Sequence, residues 1–298
     1  MITAENKLVS IAMTTYNGEK YVEKQLRSIF TQTRQPDEII ICDDCSKDHT
    51  LEIIRRIVTE YKAEDRVRLV ENQQNLGYIR NFHQAIGMTS GDYLFLADQD
   101  DEWYPHKLER VLEVMEETGA AAICTGFDLI DADSNLITDT DQFQIDRYVR
   151  NAGPGLMPIT FHKLMFRNFT PGCTYCCTRK AAEAFLKTES QALPHDYQIM
   201  ILGTLLGKVY FLNEKTIGYR LHGNNTIGFQ KKGTGSGIKL KRINKVPIHL
   251  RFLKDVRPVL PIPHRWFYYG LFYLRIPYIM SVAHAELLHL IHLVCPTK

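Results

Sequence analysis

The 298-residue chain has no run of about 18 uncharged apolar residues, so a membrane-spanning helix is not expected. Residues 1–7 are polar and the apolar run at 8–13 is too short for the core of a secretory signal, which implies a protein that stays in the cytoplasm. No G-x-G-x-x-G follows the first strand-like run and no G-x-x-x-x-G-K-[ST] occurs, which disfavours a dinucleotide dehydrogenase or a P-loop NTPase. The seven cysteines are an odd number and are expected to be reduced. Cys42/Cys45 and Cys173/Cys176 have the C-x-x-C spacing of a zinc site, yet no knuckle glycines flank them. Adjacent Cys176 and Cys177 would point to opposite sides of a strand, which argues against structural zinc.

Composition is that of a globular protein, 45% hydrophobic and 23% charged, with one or two domains. The net charge of +2 conceals a division. Residues 231–298 carry twelve Lys/Arg against Asp255 and Glu286, a net of +10, whereas residues 1–230 carry a net of −8. Gly233-Thr234-Gly235-Ser236-Gly237 reads as a flexible linker at the start of this basic tail. Basic residues interleaved with Trp266, Tyr268 and Tyr269 suit an amphipathic helix lying on an anionic membrane surface. Helices packed on the catalytic body or on a second subunit are the alternative. Nucleic-acid binding is disfavoured, because the body is acidic and no nucleic-acid motif is present.

From residue 8 to residue 118 the chain alternates short apolar runs with helical periodicity. Strands are expected at residues 8–13, 38–42, 67–70 and 93–97, and helices at 20–31, after Thr50, from Tyr78, and around Pro105 to Thr118. Four strand-then-helix units of 25 to 35 residues predict a mostly parallel α/β sheet with helices on both faces. Ligands of such sheets bind at the carboxyl ends of the strands.

The fourth strand ends in Asp98-Gln99-Asp100-Asp101. Three carboxylates within four residues repel one another, and a divalent cation clamping phosphates is one physical reason to tolerate them. An acidic turn favouring the start of the next helix is the other. Asp131-Ala132-Asp133 and Asp139-Thr140-Asp141 share the spacing but read as solvated loops, Asp133-Ser134-Asn135 being a turn between strands.

Ser10-Ile11-Ala12-Met13-Thr14-Thr15-Tyr16-Asn17-Gly18, Ile41-Cys42-Asp43-Asp44-Cys45-Ser46-Lys47-Asp48, Asn75-Leu76-Gly77 and Ala97-Asp98-Gln99-Asp100-Asp101 occur in the order and spacing of the family 2 glycosyltransferases with the GT-A fold. The chain resembles the branch that includes bacterial rhamnosyltransferases of cell-surface polysaccharides, over roughly residues 7 to 228. The resemblance implies a GT-A catalytic domain at residues 1–230, with a nucleotide-binding half to about 118 and an acceptor half beyond it, and a helical tail at 231–298.

It also implies roles. Thr14, Tyr16 and Asp44 match positions that hold the base and ribose, and Glu19 and Arg80 match further nucleotide or diphosphate contacts. Asp98-Gln99-Asp100 matches the D-x-D motif, Asp98 toward ribose and Asp100 toward a Mn or Mg ion. Asp101 is an extra acid without a ligand role. Phe169-Thr170-Pro171-Gly172-Cys173-Thr174 resembles a loop lining the acceptor side. Pro194-His195-Asp196-Tyr197 resembles the catalytic His-Asp motif, Asp196 being the general base, although a carboxylate at a helix start can also be a capping acid. His222 would be a late metal or diphosphate ligand and Arg220 would face the phosphates. The implied activity is metal-dependent inverting sugar transfer from a pyrimidine nucleotide, dTDP-rhamnose first and a UDP-hexose next, to a saccharide or lipid-linked saccharide. A non-catalytic nucleotide-sugar binder and a sugar nucleotidyltransferase are the rival readings. The second should carry a Gly-rich basic loop after strand one, where this chain has one glycine and no base before Lys20.

Overall fold

The computed structural model describes residues 7–143, 145–164, 168–188, 190–223 and 252, and the account below concerns these. The basic tail falls outside them, apart from Phe252. The first four strands are β1 (Val9–Thr15), β2 (Glu38–Asp43), β3 (Val67–Glu71) and β4 (Tyr93–Ala97), and all pair in parallel in the order β3-β2-β1-β4. Helices α1 (Val22–Phe30), α2 (Thr50–Glu60) and α3 (Tyr78–Gly87) make the crossovers, as the alternating pattern predicts.

Period-two alternation divides the β1 side chains between two layers. Val9, Ile11 and Met13 join Ile39 and Ile41 of β2 and Phe95 of β4 in one apolar cluster, with Leu26 and Ile29 of α1, Ile54 and Ile57 of α2, and Leu108 and Val111 of α4 (Lys107–Thr118). On the other layer α3 packs against β1 and β2 and meets α7 (Arg179–Leu186) and α8 (His195–Leu206). Helices therefore cover both faces. Pro105 lies just before α4 and outside it, the N-cap being His106.

The second half extends the sheet. Its elements are β5 (Glu102–Trp103), β6 (Ala122–Ile130), the short α5 (Arg147–Arg150), β7 (Leu156–Ile159), α6 (Phe161–Leu164), β8 (Tyr175–Thr178) and β9 (Val209–Arg220). Strand β8 is antiparallel to both β4 and β6, and β6 runs parallel to β9. The far edge of β9 is shared: β7 pairs with its first residues and β5 with Ile217 and Gly218. This last pairing matters for the site. Because β5 begins immediately after the acidic turn, its two-residue ladder holds residues 98–101 beside the end of β9, where Arg220 and His222 lie. No helix among the described residues is long and apolar enough to cross a membrane.

Candidate active site

The parallel register sets Thr15 beside Asp43, so the loops leaving β1 and β2 emerge together. They are laced to each other. Asn17 N donates to Ser46 Oγ (2.8 Å), Gly18 N to Thr50 Oγ1 (2.7 Å) and Glu19 N to Asp48 Oδ2 (3.0 Å), while Glu19 Oε2 accepts from His49 N (3.0 Å). Glu19, expected at the nucleotide, is thus engaged with the second loop. Thr14 is half-buried near the end of β1, and Tyr16 is 48% exposed. The Tyr16 backbone is clamped by the middle residue of the D-x-D: its N–H donates to Gln99 Oε1 (2.8 Å) and its carbonyl accepts from Gln99 Nε2 (3.0 Å). A Cβ on Gly18 would lie 2.3 Å from Gln99 Oε1, so glycine is required for this approach.

Asp44, 3% exposed, follows β2. Its Oδ1 accepts from Asn72 Nδ2 (2.9 Å) and Leu76 N (2.7 Å), and its Oδ2 from Gly77 N (2.9 Å). An ionised carboxylate has about four acceptor positions. Asp44 therefore shapes the loop before α3 and keeps about one acceptor position open.

At the acidic turn, Asp100 Oδ2 and His222 Nε2 are 2.7 Å apart, so the structure brings together the two residues expected to hold a metal. Asp98 is half-buried, and its carboxyl is held well above the usual range by burial and by repulsion from Asp101, Asp100 and Asp196. Asp101 is fully buried. Its Oδ1 accepts from Arg220 N (3.0 Å), its Oδ2 has no hydrogen-bond partner, and burial with repulsion from Asp100 pushes its pKa up to about 7. One ligand atom each from Asp98, Asp101 and Cys173 lie within 4.8 Å of one another. An orphaned, buried carboxylate oxygen among mutually repelling acids is a donor set that a divalent cation fits.

Arg220 departs from its expected place at the phosphates. It is 0% exposed, and its guanidinium donates to the carbonyls of Asp100 (2.7 Å), Asp131 (2.8 Å) and Ala132 (3.2 Å), to Ser134 Oγ and to Glu102. A planar fork of five donors suits that task of stapling the acidic turn to the 131–134 turn. Sequence reasoning missed Lys107 altogether. It is fully buried, donates to Cys173 O, lies 3.8 Å from the Trp103 ring centroid, and its pKa is pushed down to about 8 by desolvation.

In the second half of the domain Asp196 lies in the first turn of α8, 7% exposed. Asn168 Nδ2 donates to its Oδ2 (3.0 Å), while Oδ1 has no partner. Burial raises its pKa to about 6, against the lowering effect of the Tyr197 backbone and Asn168. His195 points elsewhere: its ring stacks on Phe82 with centroids 3.7 Å apart, neither nitrogen has a partner, and burial lowers its pKa to about 3. Arg80 is exposed on α3. Its Nε and Nη2 donate to Gln191 (2.8 and 2.9 Å) when that amide is oriented with its oxygen toward α3.

Three groups of side chains thus gather at one edge of the sheet: the laced loops after β1 and β2, an acidic turn fit for a cation, and a buried carboxylate with an unpartnered oxygen. The Glycosyl transferase family 2 model matches residues 10–183, more than half of the chain. The chain belongs to glycosyltransferase family 2. This family 2 glycosyltransferase is 27% identical over 232 residues to the dTDP-rhamnosyl transferase RfbG of Shigella flexneri, covering 72% of this chain and 73% of that protein. It is 34% identical over 136 residues to the putative teichuronic acid biosynthesis glycosyltransferase TuaG of Bacillus subtilis, covering 46% of this chain and 52% of TuaG. Among solved structures, S. aureus TarS 1–349 in complex with UDP-GlcNAc superposes with a TM-score of 0.60 at 15% identity, over 83% of this chain and 67% of that one. At that identity the likeness concerns the fold, which is GT-A.

Proposed function

We propose that this family 2 enzyme is a metal-dependent inverting glycosyltransferase that takes a sugar from a pyrimidine nucleotide, dTDP-rhamnose first and a UDP-hexose second. The acceptor is a hydroxyl of a saccharide or lipid-linked saccharide in cell-surface polysaccharide synthesis. RfbG, by its name, uses a dTDP-rhamnosyl donor, and TarS binds UDP and UDP-GlcNAc. A cytoplasmic enzyme with residues 231–298 resting on the inner membrane face fits a lipid-linked acceptor.

The observation that carries the reading is the Asp196 carboxylate, with its unpartnered Oδ1 and a pKa of about 6. At neutral pH it is ionised and close enough to its working range to take a proton. As the acceptor oxygen bonds to the anomeric carbon, its proton passes to Asp196 and the bond from that carbon to the diphosphate breaks on the opposite face. Asn168 occupies Oδ2, which leaves the unpartnered Oδ1 as the oxygen to take that proton. Thr14, Tyr16, Glu19, Asp44, Arg80 and Asp98 form the nucleotide side, and Gln99 fixes the Tyr16 backbone in place. Asp100 and His222, with Asp98 and Asp101 adjacent, would hold a Mn or Mg ion, which when bound neutralises charge on the leaving diphosphate. The test is release of nucleoside diphosphate from dTDP-rhamnose and UDP-glucose with Mn. Asp196→Asn should lower that rate by about 10²- to 10⁴-fold. Release of pyrophosphate in its place would mark a nucleotidyltransferase.

A further inference from the structure

We propose that Lys107 is a positioning residue that registers the base Asp196 against the donor carboxylates, a reading that rests on the roles of Asp196 and Asp98 given above. Lys107 opens α4 and is 0% exposed. Burying an ammonium carries a desolvation cost of several kcal/mol, and a methionine would fill the same space over Trp103 without it. Packing alone therefore does not account for a lysine at this position.

What the charge does is visible in its contacts. Its ammonium lies 3.8 Å from the Trp103 ring centroid and is within electrostatic reach of Asp101 and Asp98. Its hydrogen bond goes to Cys173 O, in the 3₁₀ turn Gly172–Thr174. That turn abuts the base: a Cβ built on Gly172 would lie 2.8 Å from Asp196 Cβ and 3.1 Å from Asp196 Cγ. A line of close approach thus runs from Asp98 and Asp101, whose ligand atoms lie within 4.8 Å of one another and of Cys173 Sγ, through Cys173, whose carbonyl Lys107 holds, and Gly172 to Asp196. Close-packed interiors transmit small displacements, and a reacting geometry loses rate steeply when a group moves by about 1 Å. Lys107 is the one cation in that line. It ties the acidic turn, fixed by β5 and β9, to the turn that sets the carboxylate of Asp196.

The test uses the full chain with Mn. Hydrolysis of dTDP-rhamnose and UDP-glucose is read as nucleoside diphosphate release; water attacks the anomeric carbon, its proton goes to Asp196, and the bond to the diphosphate breaks. Binding of dTDP and UDP with Mn is titrated separately. Lys107→Met should lower kcat for hydrolysis by about 10- to 100-fold. Mn–nucleotide affinity should change by no more than about threefold, since losing a positive charge at the acidic turn favours Mn while disfavouring the diphosphate, and Lys107→Arg should restore part of the rate. In an Asp196→Asn background, Lys107→Met should cost less than about threefold more, because both changes act through one group. Gly172→Ala, pressing on Asp196 from that same turn, should show the same pattern and serves if Lys107→Met does not fold. Additive losses, or affinity for Mn and nucleotide falling with the rate, would overturn the proposal. A wild-type protein that neither binds nor turns over a nucleotide removes the donor-site reading and this proposal with it, and shows itself before any variant is made.

Discussion

The unpartnered Oδ1 of Asp196 gives the residue a double signature. Its pKa is about 6 in the folded protein against an ordinary 3.8, so the folded state holds this proton more tightly than the unfolded chain does. The stability it contributes is full below about pH 4 and is lost as pH rises through about 6. At pH 7.5 the ionised side chain is therefore destabilising, by up to about 3 kcal/mol at 1.36 kcal/mol per unit. Asp196→Asn should lose activity and yet unfold at the same or a higher temperature, and wild-type kcat/KM should rise with pH through about 6. A variant that loses activity because it is less stable would contradict this. Gly18→Ala makes a different point: its Cβ collides with Gln99 Oε1, so the clamp on Tyr16 must open. Nucleotide affinity should fall by about tenfold, the loss of roughly one net hydrogen bond, as titration with UDP and dTDP would show. Legibility at this scale was uneven. Asp100 and His222, 122 residues apart, were both expected at the metal from the family resemblance and lie in hydrogen-bond contact. Lys107 was not placed, because a lysine at a helix start reads as solvent-facing by default, and Arg220 was expected at the phosphates, because only burial between elements distant in sequence shows its stapling role.

At the scale of elements, two loops make up the proposed donor side, and both are held by side chains. Asp44 gathers the loop before α3 through Leu76 N, Gly77 N and Asn72, and Asn72 continues to Asn81, which donates to Cys42 O. Asp44→Ala leaves two backbone N–H groups without their acceptor and should cost about 3 kcal/mol, which is on the order of 5–10 °C in unfolding midpoint. It should also abolish nucleotide binding, as calorimetry would show. If stability is unchanged, the loop is held by something else. The start of α3 was legible, since Asn75-Leu76-Gly77, where Gly77 has φ at +78°, leads into the helix expected from Tyr78. Strand β5 was not: two residues have no periodicity to detect, and its pairing partner lies more than a hundred residues away. That pairing is nonetheless what brings the acidic turn to His222.

Across the whole molecule, the parallel half follows directly from continuous apolar strands alternating with helices, and its order β3-β2-β1-β4 places the ends of β1, β2 and β4 side by side. The antiparallel insertion of β8 between β4 and β6 could not be read from periodicity, since pairing direction is decided by tertiary contact. It has a functional consequence: the turn that precedes β8 carries Gly172 and Cys173 to the acidic turn and to Asp196. The acidic turn and Asp196 are thus brought together by that turn within the family 2 domain. The central claim, that this site binds a pyrimidine nucleoside diphosphate through a divalent ion, is tested most directly by the unfolding midpoint with dTDP or UDP, with and without Mn. At about a hundred times Kd a ligand adds roughly 2.7 kcal/mol, a rise of several degrees. The account predicts that rise only when Mn and nucleotide are both present, and its loss in Asp100→Ala; a rise that needs no Mn, or that survives Asp100→Ala, would contradict it.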